Sequence, residues 1–502
     1  MFFQKPPKFI LEIVVFLSGA TVMAFELVGS RMLAPCLGTS LYVWTAIIGV
    51  ILASLSFGYW LGGRIADKQP RAEDLSLVIL LAALCILISM RLAQFILPAF
   101  VLFKSYIEVS AILASFLLFT PASILLGIVS PYTVKLKMKN IDSSATTVGN
   151  LYAISTVGSI CGTFATGFFL LPFFGTKSIL LILVSVLIVA AVLIFPWRFK
   201  NNKILLTLIL MVISFQFFNS ALNFSNNTIL ILNKDTKYNR IQIRQGVDRV
   251  NGRPVLSLSL DPFTSQSAMF LDGDDYVSEY LKFFDLAEYF YPNFKRTLLL
   301  GGAAFIYPKA FLNNFPQATI DVVEIDPAMF EIAKEYFHLT EDPKLRVVHE
   351  DGRTFLNRAE EKYDVIFGDT FNSALSLPFQ LTTREAIGKQ YDLLNENGVV
   401  FVNMISFLLP KKSKFLNAEI KTYQAVFPQV YLFSVPSRTA KLQNIILVAL
   451  KSNKKNDLQS NDPRFKELLA SSFEISIDKN VIVLTDDFAP VEYYARELAR
   501  EY

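Results

Sequence analysis

Three short stretches in the second half of the chain end on residues able to do chemistry. Gly301-Gly302 follow the apolar run Thr297-Leu298-Leu299-Leu300, and Glu324 closes the run Ile320-Asp321-Val322-Val323. Asp369 closes a third, Tyr363-Asp364-Val365-Ile366-Phe367-Gly368. Glycines let a backbone approach a bulky polar ligand closely. A carboxylate ending the next strand can take both hydroxyls of a ribose. Together these point to a nucleoside cofactor. Asp272, Asp274 and Asp275 form a second polar group upstream. They read either as a site for a cationic substrate or as an acidic turn at a helix N-terminus. His338 and His349 are the only histidines, and Cys36, Cys85 and Cys161 fall at no metal-like spacing. A histidine-based triad is therefore disfavoured, and no metal is expected.

The elements that must position these residues follow from the same runs. Strand-like runs alternate with helical stretches, which predicts a parallel, doubly wound α/β sheet. Such a sheet binds ligands at the ends of its strands, where the polar residues collect. Further upstream, Tyr238 to Arg244 and Val255 to Leu260 alternate apolar with polar residues around Asn251-Gly252. That pattern predicts a small antiparallel β-sheet with a tight turn. An aromatic-rich helix is expected from Tyr276 to Tyr291, and Asp326-Pro327 reads as a helix start.

The first half is of another kind. Of the 502 residues 53% are hydrophobic and only 18% charged, and mean hydropathy is +0.43. The apolar excess lies before residue 225. Seven stretches approach the roughly 20 apolar residues a membrane helix needs, near 9–30, 41–62, 75–97, 108–130, 148–172, 177–196 and 203–222. The expected fold class is an α-helical transmembrane bundle of about seven spans, then a Rossmann-like α/β domain with a small antiparallel sheet at its start. The expected domains are 1–224 for the membrane part, 225–292 for a β-rich lead-in and helix, and 293–502 for the Rossmann-like part. Gly158, Gly162 and Gly167 predict close helix packing in the fifth span. Lys and Arg are most frequent in the segments that lie inside if the N-terminus is cytoplasmic. This predicts a multi-pass protein of the cell membrane, with an odd span count placing the C-terminal domain outside the cytoplasm. The lipid bilayer is thus an expected partner. A net charge of +4 without a basic cluster excludes nucleic acid.

Thr297 to Gly302, Val323 to Pro327, Glu350-Asp351-Gly352 and Tyr363 to Asp369 resemble the spermidine synthase (aminopropyltransferase) family, over about residues 235–450. Glu26 to Arg31, Gly58 to Asp67, Gly149 to Ala153, Leu381 to Glu385 and Thr485 to Glu492 resemble multi-pass proteins with a spermidine synthase-like domain at the C-terminus. The resemblance implies a methyltransferase-like Rossmann fold behind a small β-domain. It also implies an S-adenosylmethionine-type cofactor, decarboxylated in true aminopropyltransferases, and a polyamine acceptor such as putrescine. Residue by residue, it gives Glu324 the ribose hydroxyls, Asp351 the adenine amino group and Gln266 a face toward the cofactor. Gly301 and Gly302 open the family's glycine loop.

Two departures stand against it. Where the family loop continues Gly-Asp-Gly, this chain has Ala303, Ala304 and Phe305. Where the family has its proton-accepting aspartate, this chain has Asn372, an amide unable to take a proton near neutral pH. Asp369 remains as the catalytic candidate, with Asp272, Asp274 or Asp275 as substitute acids. Three readings follow: aminopropyl transfer with replaced acids, S-adenosylmethionine-dependent methyl transfer, or a non-catalytic domain that binds a nucleoside or polyamine and regulates the membrane half.

Overall fold

A computed structural model of the protein describes residues 8–68, 70–101, 107–138, 144–194, 228–248, 250–260, 265–370, 377–408, 413–435, 442–478 and 480–495. The chain divides into two compact units, Met1–Phe224 and Ser225–Tyr502.

In the first unit, six helices among the described residues are long and apolar enough to cross a membrane. They are α1 (Lys8–Leu37), α2 (Leu41–Lys68), α3 (Ala72–Val101), α4 (Ile107–Lys137), α5 (Ser144–Ala165) and α6 (Thr176–Ile194). A π-turn over Thr166–Leu170 carries α5 on to Phe173. The stretch 203–222, expected as a seventh span, lies outside the described residues. Small residues set how closely the helices approach. A Cβ on Gly158 of α5 would sit 2.2 Å from the Phe16 carbonyl oxygen of α1, and one on Gly162 2.4 Å from that of Ala20. Gly167, expected to take part, faces open space.

The second unit opens with a four-stranded antiparallel sheet: β1 (Ile229–Asp235), β2 (Arg240–Val247), β3 (Pro254–Ser259) and β4 (Ser267–Phe270). Gly252 adopts φ 68° in the β2–β3 turn, a backbone region open to glycine at no steric cost. Tyr276 to Tyr291 forms two short helices, α7 (Leu281–Phe284) and α8 (Ala287–Phe290), where one was expected. At the break the backbone tightens to i→i+3 bonds, Asp285 N to Lys282 O at 3.3 Å and Leu286 N to Phe283 O at 3.2 Å.

An eight-stranded sheet follows, in the order β12-β10-β11-β9-β8-β5-β6-β7. β5 (Arg296–Leu300), β6 (Thr319–Val323), β7 (Leu345–Val348), β8 (Tyr363–Gly368) and β9 (Leu394–Ser406) run parallel, crossing through α9 (Ile306–Asn314), α10 (Pro327–Tyr336), α11 (Gly352–Arg358) and α12 (Arg384–Leu393). After α13 (Lys414–Gln424), β10 (Gln429–Ser434) and β11 (Gln443–Leu450) return antiparallel, and α14 (Pro463–Ala470), β12 (Ser472–Phe473) and α15 (Val491–Tyr494) complete the chain. Residues 298–300, 320, 322–323 and 365–367 are buried, because helices cover both faces of the parallel strands. Each such apolar side chain contributes about 1.5–3 kcal/mol. What is left for polar chemistry is the row of turns at the strand ends.

Candidate functional site

The loop after β5 is shaped by what a side chain would strike. A Cβ on Gly301 would lie 2.4 Å from the Asp369 carbonyl oxygen, and its φ is 91°, so glycine is required on both counts. Ala303 (φ 43°) and Phe305 (φ 55°) also take left-handed backbone, which non-glycine residues seldom adopt. Phe305 is held there by burial and by an edge contact with Phe330 at 5.4 Å between ring centres.

Glu324 holds this loop against the end of β6. Its Oε2 accepts from the Gly302 and Ala303 amides at 2.9 and 3.0 Å, and its Oε1 from the Asp326 amide at 2.9 Å. Burial pushes its carboxyl pKa up; the three amides oppose the shift and Asp326 adds to it. A carboxylate has about four acceptor positions, so one is left for a ligand unless the loop yields another. Just beyond, Asp326 caps α10 by accepting from the Ala328 amide at 3.1 Å, with Pro327 in the first turn.

Asp369 sits at the end of β8, half-buried as a residue but with its carboxyl desolvated. Its Oδ2 accepts from the Tyr280 hydroxyl at 2.7 Å and its Oδ1 from Asn403 Nδ2 at 2.9 Å. Burial raises its carboxyl pKa, while the Asn403 and Tyr280 bonds pull it back down. Asn403 is itself oriented by Asn444, whose amide donates to it at 2.8 Å. Tyr280 and Asn403 were not singled out from sequence. Asn403 left a signal there, a polar residue within the apolar run from Val399 to Ile405. Tyr280 left none in its aromatic surroundings.

Gln266, Gly301, Gly302 and Asp369 come together with Ala303 and Tyr280 around one cavity of about 20 Å³, room for one water molecule. The other sequence candidates lie elsewhere. Asp351 caps α11, accepting from the Thr354 amide at 3.0 Å, and Gln380 Nε2 donates to its second oxygen at 3.4 Å. Asp272, Asp274 and Asp275 are exposed on a separate recess of about 370 Å³. Arg253 donates to Asp272 at 2.8 Å and to Asp275 at 2.9 Å, and Lys309 lies 3.8 Å from Asp274. Asn372 lies outside the described residues.

Residues 278–460 match the spermine/spermidine synthase domain. The polyamine aminopropyltransferase of Vibrio vulnificus (strain CMCP6) is 31% identical over 220 residues, 40% of this chain and 70% of that protein. The chain belongs to the polyamine aminopropyltransferase family. The enzyme of that name from Streptococcus pneumoniae serotype 4 (strain ATCC BAA-334 / TIGR4) is 28% identical over 184 residues, 34% of this chain and 62% of that protein. The crystal structure of spermidine synthase from Thermotoga maritima aligns with 53% of this chain and 83% of its own, at 18% identity and a TM-score of 0.36. The family domain match takes in the glycine loop, Glu324, Asp351, Asp369 and Asn403, and begins after Gln266 and the Asp272–Asp275 turn.

Proposed function

We propose that residues 225–502 bind an S-adenosylmethionine-type nucleoside and transfer an aminopropyl group from its decarboxylated form to a polyamine such as putrescine, held at the bilayer by the N-terminal helices. The observation that carries this reading is Asp369, a desolvated carboxyl with two fixed donors, in the same cavity as the glycine loop. In this reading Gly301, Gly302, Glu324, Gln266 and Asp351 hold the nucleoside. The fit at the ribose end rests on two features. Gly301 presents no Cβ, and the Glu324 carboxylate stands directly beneath the loop amides. The amine end fits less well, since Ala304 is buried and apolar where the family has an acid.

Bound there, the decarboxylated cofactor supplies a carbon made electrophilic by its sulfonium. The protein must take a proton from the acceptor, because aliphatic amines are mostly protonated near pH 7. Asp369 is placed to do this. Burial lifts its basicity above that of a surface aspartate, and Tyr280 and Asn403 fix its orientation. A second reading, a binding module without turnover, draws on the same buried Ala304 and on the 20 Å³ cavity, which must open before a nucleoside enters.

The full-length protein in detergent micelles, given decarboxylated S-adenosylmethionine and putrescine, is expected to release methylthioadenosine. Asp369→Asn is expected to lower that rate by about 10²–10⁴-fold with methylthioadenosine affinity retained. As pH falls through the raised pKa, Asp369 gains a proton and the rate drops, so the acid limb lies above that of an exposed aspartate. Nucleoside binding without product would leave the second reading; no nucleoside binding would sink both. With 203–222 counted as a seventh crossing, the C-terminal domain lies outside the cytoplasm. An alkaline phosphatase fused to the C-terminus is then active, and a silent fusion would refute that placement.

A further inference from the structure

The C-terminal tail is tied to the first turn of α11 through one arginine. Arg353 forks onto Asp486, with Nη1 donating to Oδ1 at 2.9 Å and Nη2 to Oδ2 at 2.5 Å. Such a two-pronged pair fixes direction as well as distance. The Thr383 hydroxyl donates to the same Oδ1 at 2.7 Å and accepts from Arg353 Nη1 at 3.0 Å. Two amides seat the tail beside this pair. That of Arg384 donates to the Leu484 carbonyl at 2.8 Å, and that of Asp486 to Glu385 Oε2 at 2.9 Å. The side chain of Arg353 is only 16% exposed and that of Asp486 48%.

The same guanidinium reaches toward Asp351. Arg353 Nη1 also donates to the Gln380 carbonyl at 3.0 Å, in the 3₁₀ turn Phe379–Leu381. That turn packs over the start of α11, where a Cβ on Gly352 would stand 3.4 Å from Leu381 Cδ1. From it Gln380 Nε2 donates to Asp351 Oδ2 at 3.4 Å. This is the long end of hydrogen bonding, so a small further shift of the turn breaks it. Asp351 Oδ1 is already committed to the Thr354 amide at 3.0 Å and the Thr354 hydroxyl at 3.4 Å. Among the described residues Oδ2 has Gln380 as its donor, with an acceptor position to spare. The direction of that spare position is set by Gln380. Asp486, matched by Arg353, has no charge left over for a ligand, and what it contributes is orientation.

We propose that Asp486 is a positioning residue for the nucleoside base: through Arg353 and Gln380 it aims Asp351 Oδ2 at the exocyclic amino group of an adenine. The proposal rests on the reading of Asp351 as a nucleoside contact. The tail thereby governs which base is accepted. A carboxylate takes a hydrogen bond from an amino group and repels the oxygen of a 6-oxo purine.

The test compares methylthioadenosine with methylthioinosine, its 6-oxo counterpart, by calorimetry on full-length protein in micelles. The unaltered protein is expected to favour methylthioadenosine by about tenfold or more, the worth of a hydrogen bond to a charged group. Asp486→Ala should weaken methylthioadenosine by about that factor and leave methylthioinosine unchanged. Asp486→Glu, which keeps a carboxylate for the fork, should restore most of the preference. Gln380→Ala leaves the tail pair in place and should lose the same preference. Should Asp486→Ala show no cooperative melting transition, Gln380→Ala and Asp486→Asn decide, the first by losing the preference and the second by losing part of it. A folded Asp486→Ala that keeps the full preference would overturn the proposal. So would one that weakens both nucleosides alike, the mark of a merely structural tail. Equal binding of the two nucleosides by the unaltered protein would show that Asp351 does not read the base, and the proposal would fall with it. Binding of neither would overturn the nucleoside reading itself, and the proposal with it.

Discussion

Two groups of carboxylates in the C-terminal unit differ in what balances them. At the ends of β6 and β8, Glu324 and Asp369 are held by neutral donors: backbone amides for one, a phenol and an amide side chain for the other. Their pKa values are raised, with burial the leading cause in both. In the exposed turn, Asp272 is bonded to Arg253, which lowers its pKa, and Asp275 shares the same guanidinium. An acid already matched by arginine has spent its charge. One buried among neutral donors keeps its charge for a ligand or a proton. By this measure the unmatched acids stand at the strand ends, and the acidic turn is a surface ion-pair network.

The hardest way to break that contrast is to remove Glu324. Glu324→Ala leaves the Gly302, Ala303 and Asp326 amides without their acceptor. At about 1–3 kcal/mol per orphaned buried group, the C-terminal unit should lose several kcal/mol of stability and nearly all nucleoside affinity. Glu324→Gln keeps one oxygen and should lose less of both. Denaturant unfolding together with methylthioadenosine calorimetry checks this. An alanine variant of unchanged stability would show that the amides are satisfied by other groups.

The strand-end geometry was legible in the sequence where burial on both faces forces continuous apolar runs. Thr297–Leu300, Ile320–Val323 and Tyr363–Gly368 therefore stood out, and with them the residues at their ends. The Asn251-Gly252 turn was legible because few residue pairs adopt that backbone. Pairings made across the chain were not. Arg253 meets Asp272 only because β3 and the turn after β4 come back together. Tyr280 reaches Asp369 across 89 positions. The helix expected from Tyr276 to Tyr291 had the right aromatic content, but content cannot show the break at Asp285, where the backbone tightens. Asp351 illustrates a different limit. A carboxylate before a helix has the same signature whether it caps the helix or faces a ligand, and here it accepts from the Thr354 amide.

A milder perturbation tunes Asp369 without removing it. Tyr280→Phe deletes one of its two donors. A hydrogen bond to a charged group is worth about 1.5–3 kcal/mol. Losing a bond that favours the ionised form lets burial lift the Asp369 pKa further. The acid limb of the rate profile should then move to higher pH, with a rate loss of about tenfold near neutrality, less than for Asp369→Asn. An unmoved limb would mean that Asp369 is not the group whose ionisation governs the rate.

The smallest effect should come from the other side of the comparison. Arg253→Ala frees Asp272 and Asp275 of their partner. Exposed ion pairs contribute little and are screened by salt, so the melting temperature should hold at physiological ionic strength and methylthioadenosine affinity should not change. If the turn is only a surface network, putrescine affinity also stays constant. If the freed acids recruit the amine, putrescine binds more tightly in this variant, in a salt-sensitive way. Putrescine calorimetry of Arg253→Ala at low and at physiological salt separates the two. A gain in putrescine affinity that fades with added salt would move the amine site to the recess and undo the contrast between matched and unmatched acids.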